Sequence, residues 1–154
     1  MSEQALGTTA LAQVAVVVRD IAKAAKTYAE IFGVPVPEVV ITDPVEKAHT
    51  LYHGKPSPAR AKLAFIPMGG AVTLELIEPL GKPSTWQQFL DEHGEGVHHI
   101  AFRIQGMDRV LSFLNAKGCP TAQTGDFPGG RYAYVDSIPR LGVILELLES
   151  LPKK

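Results

Sequence analysis

Four polar residues interrupt runs that otherwise read as buried strands: Gln13 in LAQVAVVV, Glu75 in AVTLELIE, His99 in GVHHIAFRI and Glu146 in VILELLE. A carboxylate among apolar neighbours is costly unless it is paired. Two carboxylates brought together repel until a proton or a cation is shared between them. A divalent metal held by one imidazole, two carboxylates and an amide oxygen removes that cost. No thiolate belongs to the set, so the donors are mostly hard and suit Mn, Co, Ni, Fe or Zn with positions open to water. A strand histidine alone is more often a core residue than a ligand; its pairing with Gln13, Glu75 and Glu146 is what selects His99. Side chains alternate across a strand, so His98 is expected to point the other way and to be structural.

The elements that must position these groups follow from pattern. Leu11 to Val18 reads as a strand, and Asp20 as the N-cap of a helix from Ile21 to Phe32 that Gly33 ends. Pro35, Pro37 and Pro44 make an extended segment poor in ladder hydrogen bonds. Ala48 to His53 and Lys62 to Met68 are expected as strands joined through Gly54-Lys55-Pro56-Ser57-Pro58, and Ala71 to Glu78 as a fourth. Ser84-Thr85-Trp86-Gln87 has the capping-box pattern and opens a linker helix. The unit then repeats: a strand from Val97 to Ile104, a helix from Met107 to Lys117, extended segments at 120–123 and 131–136, and a strand from Val143 to Glu149. Gln13-Val14-Ala15-Val16 overlays His99-Ile100-Ala101-Phe102, and VTLELIE (72–78) overlays VILELLE (143–149). A repeat of this kind organises the whole fold.

The 154 residues suit one domain with a real core, and a formal net charge of -1 gives no reason to expect nucleic acid or an anionic membrane as partner. One cysteine, Cys119, allows no intrachain disulfide and no thiolate cluster, and is expected as a buried filler. The first nine residues lack the form of a secretory signal, no run reaches the length of a membrane span, and the expected location is cytoplasmic. Residues 151–154 are expected as a frayed tail.

Together the stretches LELIEPLG (74–81) and GVHHIAF (96–102) make the chain similar to the vicinal oxygen chelate superfamily, which includes glyoxalase I and methylmalonyl-CoA epimerase. The likeness runs from about Ala10 to Ser150 and is greatest toward the epimerase branch. It implies an α+β fold of paired βαβββ modules, an eight-stranded mixed sheet curled around a metal-centred cavity. Module one would span about 10–79, the linker helix 80–95 and module two 96–150. The resemblance also implies that Gln13, Glu75, His99 and Glu146 are the metal ligands. Epimerases of this type usually begin with histidine where this chain has Gln13; a glutamine there is similar to some glyoxalase I enzymes. Their catalytic glutamate before the third strand has no counterpart, since no Asp or Glu stands between Glu46 and Glu75.

The implied chemistry is proton transfer next to a carbonyl, through an enediolate or enolate that the metal stabilises. Glu146 is the favoured base and Glu75 its partner across the cavity. His53 or His49 replaces the missing glutamate if either faces inward. The stretch GDFPGGRY (125–132) is expected as a flexible loop before a strand, either a substrate lid whose Arg131 meets an anionic group or a simple turn. Glu78 and Glu149 are expected as solvated strand ends. The expected substrate is a small carbonyl compound, an acyl-CoA or a sugar derivative, and a homodimer is expected by analogy. Two rivals are a metal-free binding protein of the same fold and an iron-dependent dioxygenase; the first has no need of buried Glu75 and Glu146, and the second wants two histidines where Gln13 leaves one.

Overall fold

The computed structural model describes residues 5–152; the expectations for Met1 to Gln4 and for Lys153 and Lys154 lie outside the described residues. In chain order its strands are β1 (Leu11–Val17), β2 (Val40–Ile41), β3 (Leu51–Tyr52), β4 (Lys55–Pro56), β5 (Arg60–Pro67), β6 (Thr73–Leu80), β7 (Gly96–Arg103), β8 (Thr121–Phe127), β9 (Gly130–Val135) and β10 (Ile144–Ser150). The helices are α1 (Ile21–Phe32), α2 (Val45–Ala48), α3 (Thr85–His93), α4 (Met107–Ala116) and α5 (Ile138–Leu141). All strands join one mixed sheet of order β2-β5-β6-β1-β7-β10-β9-β8-β3-β4. The expected eight strands become ten because, in place of the single strand expected over Ala48 to His53, three two-residue pieces form between residues 40 and 56: β2, β3 and β4.

The repeat is visible in the register. Antiparallel β1 and β7 pair Gln13 with Ala101 and Ala15 with His99, as a two-fold axis between them requires. Parallel β6 lies against β1 with Ala15 opposite Glu75, and parallel β10 against β7 with Ala101 opposite Glu146. Overlaying Gln13 on His99 therefore carries Glu75 onto Glu146, and the four polar positions converge at the centre of the sheet.

Residues 42–50 connect β2 at one edge to β3 near the other. Eight strand spacings would separate them by about 38 Å in a flat sheet. With α2 in the path, the connection reaches only about 27 Å. The sheet must curl, and this segment crosses its open side. Ala48 to His53 is accordingly not the partner of Lys62 to Met68: β3 pairs with β4 and β8, while β5 pairs with β2 and β6. His49 and His53 both have left-handed backbone (φ 50), which breaks a continuous strand at each end.

Local signals positioned the helices. Asp20 Oδ1 accepts from Lys23 N (3.1 Å), and Gly33 closes α1 at φ 66. Ser84 Oγ accepts from Gln87 N (3.0 Å), while the Gln87 side chain turns to Asp91 rather than completing the box. On one face of the sheet, α1 packs Ile21 and Ala25 against Ala64 and Leu76, and α4 packs Val110 and Leu114 against Val135 and Leu147. The other face carries α3, whose Trp86 and Leu90 pack on Ala15, Val17, Ile77 and Ile144. Cys119 is buried, as expected.

Glu78 and Glu149 are not solvated strand ends. Glu78 Oε1 accepts from Ile21 N at the start of α1 (2.9 Å). Glu149 Oε2 accepts from Gly106 N (2.7 Å) and Met107 N (3.0 Å) at the start of α4. Each half thus spends one glutamate on the centre and, three residues on, another on the unpaired amides and positive end of its helix. Among the described residues, no helix is long and apolar enough to cross a membrane.

Candidate metal centre and its cavity

Glu75, His99 and Glu146 are all buried, and each offers a donor atom within 4.8 Å of the other two. His99 Nε2 stands 2.8 Å from Glu146 Oε2 and 3.4 Å from Glu75 Oε1. The closer contact lacks hydrogen-bond alignment: Nε2 and Oε2 are buried polar atoms without a hydrogen-bond partner. Orphaned atoms of this kind are rare in native cores and call for an explanation. Buried imidazole and carboxylate atoms gathered this closely, two of them without hydrogen bonds, are a donor set that suits a divalent metal. Gln13 lines the same cavity as Glu75 and Glu146, from the adjacent central strand. All four expected ligands are therefore brought to one place.

The electrostatics of the protein alone show the same demand. Burial pushes the Glu75 carboxyl up to about 8; Glu146 adds to the rise and His99 opposes it. Burial pulls His99 down, but the neighbouring Glu146 and Glu75 outweigh it and hold its imidazole above the ordinary value. Burial and His99 together keep His98 well below its ordinary value, as an uncharged ring. Burial, reinforced by both glutamates, raises the phenols Tyr132 and Tyr134, which remain protonated donors.

The cavity has a volume of about 430 Å³ and mostly apolar walls, including Leu63, Phe65, Trp86 and Leu148. That is within the usual size of small-molecule sites. Trp86 Nε1 donates to Tyr134 OH (3.1 Å), and Gln123 Nε2 to Tyr132 OH (3.0 Å), fixing both rings in the wall. Residues 40–43 with Ala48 and Thr50, from the crossing segment, form the opposite side.

Several expected site residues lie elsewhere. Arg131 points to the other face of β9, where it pairs with Glu149 Oε1 (2.8 Å) and approaches Asp108 (3.5 Å). Of the two alternatives for residues 125–132, the turn is the one observed: β8 runs to Phe127, and Pro128 and Gly129 turn into β9. Its tip, Phe127 and Pro128, rims the cavity. His53 borders a separate, smaller recess, and His49 is exposed and bound to Asp126 through Nδ1 (2.8 Å). Neither replaces the missing glutamate.

Arg103 is a cavity residue that the pattern of polar interruptions does not single out. It lines the cavity, is its one cationic side chain among the described residues, and has no hydrogen bond or ion pair there. The signal was parity: Arg103 shares a strand face with Ala101 and His99. His98 was also misplaced. Pairing passes from Ala15 opposite His99 to Val16 opposite Val97, so His98 is the extra residue of a bulge. A bulge re-aims a side chain, and His98 and His99 are both buried with their Nδ1 atoms 2.8 Å apart.

A family model described as the Glyoxalase/Bleomycin resistance protein/Dioxygenase superfamily matches residues 12–135. The chain is 34% identical over 95 residues to the uncharacterized protein YqjC of Bacillus subtilis (strain 168), a match covering 58% of this chain and 66% of that protein, just under two thirds. It is 26% identical over 135 residues to a 2-epi-5-epi-valiolone epimerase of an Actinomyces species, covering 83% of this chain and 73% of that one. Among solved structures, a methylmalonyl-CoA epimerase from Mycobacterium tuberculosis superposes with a TM-score of 0.66 at 24% identity, over 99% of this chain and 94% of that one. A Streptomyces coelicolor methylmalonyl-CoA epimerase in complex with 2-nitronate-propionyl-CoA superposes at 0.61 and 24% identity, over 92% and 97%. These two likenesses establish the glyoxalase-like fold.

Proposed function

The chain belongs to the Glyoxalase/Bleomycin resistance protein/Dioxygenase superfamily, and from that premise we propose that it is a metal-dependent enzyme of epimerase or isomerase type. The same site would serve a glyoxalase-like lyase. The observation that carries this reading is the buried Glu75, His99 and Glu146 cluster, with two of its atoms left without hydrogen bonds. Glu75, His99, Glu146 and Gln13 would hold the metal. A single histidine among the donors sets the site apart from the two-histidine, one-carboxylate arrangement of iron oxygenases.

When bound, a divalent metal would polarise a substrate carbonyl and so acidify the neighbouring C–H. Glu146, from β10, takes that proton. Glu75, from β6 on the other side of the pseudo-two-fold axis, is placed to return one to the opposite face, and the pair resets by exchange with solvent. The Tyr132 and Tyr134 hydroxyls, which accept from Gln123 Nε2 and Trp86 Nε1, stand in a wall that would exclude water from the reacting carbon. Arg103 lies two residues along β7 from Ala101, about 7 Å beyond the level of the ligands. It meets a carboxylate or phosphate on the substrate. The substrate class is therefore a small carbonyl compound with an anionic substituent, whether an acyl thioester or a sugar-derived ketone.

The test is deuterium uptake at the carbon next to the carbonyl. Metal-loaded protein is incubated in heavy water with a panel of 2-carboxyacyl thioesters, phosphorylated 2-hydroxy ketones and phosphorylated cyclic polyol ketones, followed by proton NMR against a protein-free control. Exchange that Glu146→Gln abolishes supports the reading. No exchange across the panel by protein that carries metal contradicts it.

A further inference from the structure

We infer that His98 and Thr85 are positioning residues that fix the hydrogen-bond direction and tilt of the His99 ring, keeping its Nε2 lone pair aimed between the two glutamates. This rests on the metal-centre reading above. His98 Nδ1 lies 2.8 Å from His99 Nδ1, and His98 Nε2 lies 3.2 Å from Thr85 Oγ1. Between two facing Nδ1 atoms only one proton fits, so one ring donates and the other accepts.

If His98 donated, a neutral His99 would carry its proton on Nε2. That N–H would lie 2.8 Å from Glu146 Oε2, yet the alignment for a hydrogen bond is missing. If His99 donates, its Nε2 is bare and ready to ligate, His98 carries its proton on Nε2, and that proton has an acceptor in Thr85 Oγ1. Every ring nitrogen then has a role. The outer partner of a metal-bound histidine commonly acts in this way.

The surrounding structure is built to hold the arrangement. The bulge in β7 exists at His98 itself and turns its ring to the same side as His99. Thr85 is fixed at the first position of α3 by its backbone N–H, which donates to Gln123 Oε1 (2.8 Å). Phe89 and Tyr134 pack edge-on against the His98 ring, at centroid distances of 5.6 and 5.1 Å. One strand and one helix thus converge on the ring that the ligand leans against.

Two measurements test this. Long-range proton–nitrogen NMR of the wild type, metal-free and zinc-loaded, reads the tautomers directly. The expected result is His98 protonated on Nε2 in both states and His99 protonated on Nδ1 when loaded. His98 protonated on Nδ1 in either state overturns the inference. Zinc titration calorimetry of variants is the second. His98→Leu is expected to weaken zinc about 10- to 100-fold. His98→Asn, whose amide oxygen reaches the Nδ1 position, should recover most of that loss, and Thr85→Val should lose part. Wild-type affinity in folded His98→Leu overturns the inference; if that variant does not fold, Thr85→Val and the wild-type spectra decide. Should the wild type take up no metal at all, the metal-centre reading fails, while the metal-free tautomer still decides the role of His98.

Discussion

Glu146 Oε2 and His99 Nε2 face each other at 2.8 Å in the interior, and neither makes a hydrogen bond. Glu75 closes the third side of the group. Two of these three side chains, Glu75 and His99, bind protons differently when folded and when unfolded, and this sets how the metal-free protein responds to pH.

Glu75 is held at about 8, above its unfolded value, chiefly by burial, and His99 is also held above its own by the two glutamates. For both, the folded state binds more protons than the unfolded chain. Metal-free stability is therefore greatest at low pH within the window from about 5 to 8 and falls as pH rises, by up to ~1.4 kcal/mol per pH unit for each proton. Metal requires deprotonated donors, so the loaded protein should show the opposite trend. Urea midpoints at several pH values, with and without metal, read this. Matching trends in the two forms would count against the site.

Glu146→Gln keeps the shape of the side chain but removes its charge and its basicity. The expected effect is a fall of about 10²- to 10⁴-fold in kcat for proton exchange, the usual contribution of a general base. Metal binding should also weaken. Steady-state kinetics at saturating metal separates the two losses.

Arg103→Ala leaves the core untouched, because the side chain is exposed and unpartnered among the described residues. It should raise KM for an anionic substrate about 10- to 100-fold, as expected for a lost charged hydrogen bond of about 1.5–3 kcal/mol. Metal affinity and thermal midpoint should remain at wild-type values. An unchanged KM would remove Arg103 from the substrate site.

Glu149→Gln tests the helix-capping role apart from the metal. Burial alone would raise this carboxyl, but the Met107 amide, Arg131 and the Gly106 amide hold it below its ordinary value. A depressed folded value gives stability that is present above the unfolded range and lost as pH falls through the folded one. The variant should cost about 1–2 kcal/mol at neutral pH, converge with the wild type in acid and bind metal normally. Glu78→Gln should weaken the start of α1 in the same way at neutral pH, since its carboxylate accepts from Ile21 N.

What was legible in the chain followed from local rules and internal symmetry. The Asp20 cap and Gly33 stop bounded α1 at the residues observed, and the two matched ELxE runs located Glu75 and Glu146. What escaped depended on departures from regular geometry or on distant partners. Strict alternation separated His98 from His99 because it presumes an unbroken ladder, and a bulge at His98 breaks it. The β3 strand was assigned to its neighbour in sequence, whereas it pairs with β8, some seventy residues away by register (Tyr52 with Gln123). Arg131 is not free for a substrate because its partner Glu149 lies on another strand, a pairing that no local pattern reveals.

The central claim is that Glu75, His99 and Glu146 hold a metal, and metal content measures it most directly. The purified chain would be dialysed against Mn, Co, Ni and Zn in turn and assayed by plasma mass spectrometry beside His99→Ala. The expected result is about one divalent ion per chain in the wild type and none in the variant. A wild type that retains no metal, or a His99→Ala protein that retains as much, would contradict the account.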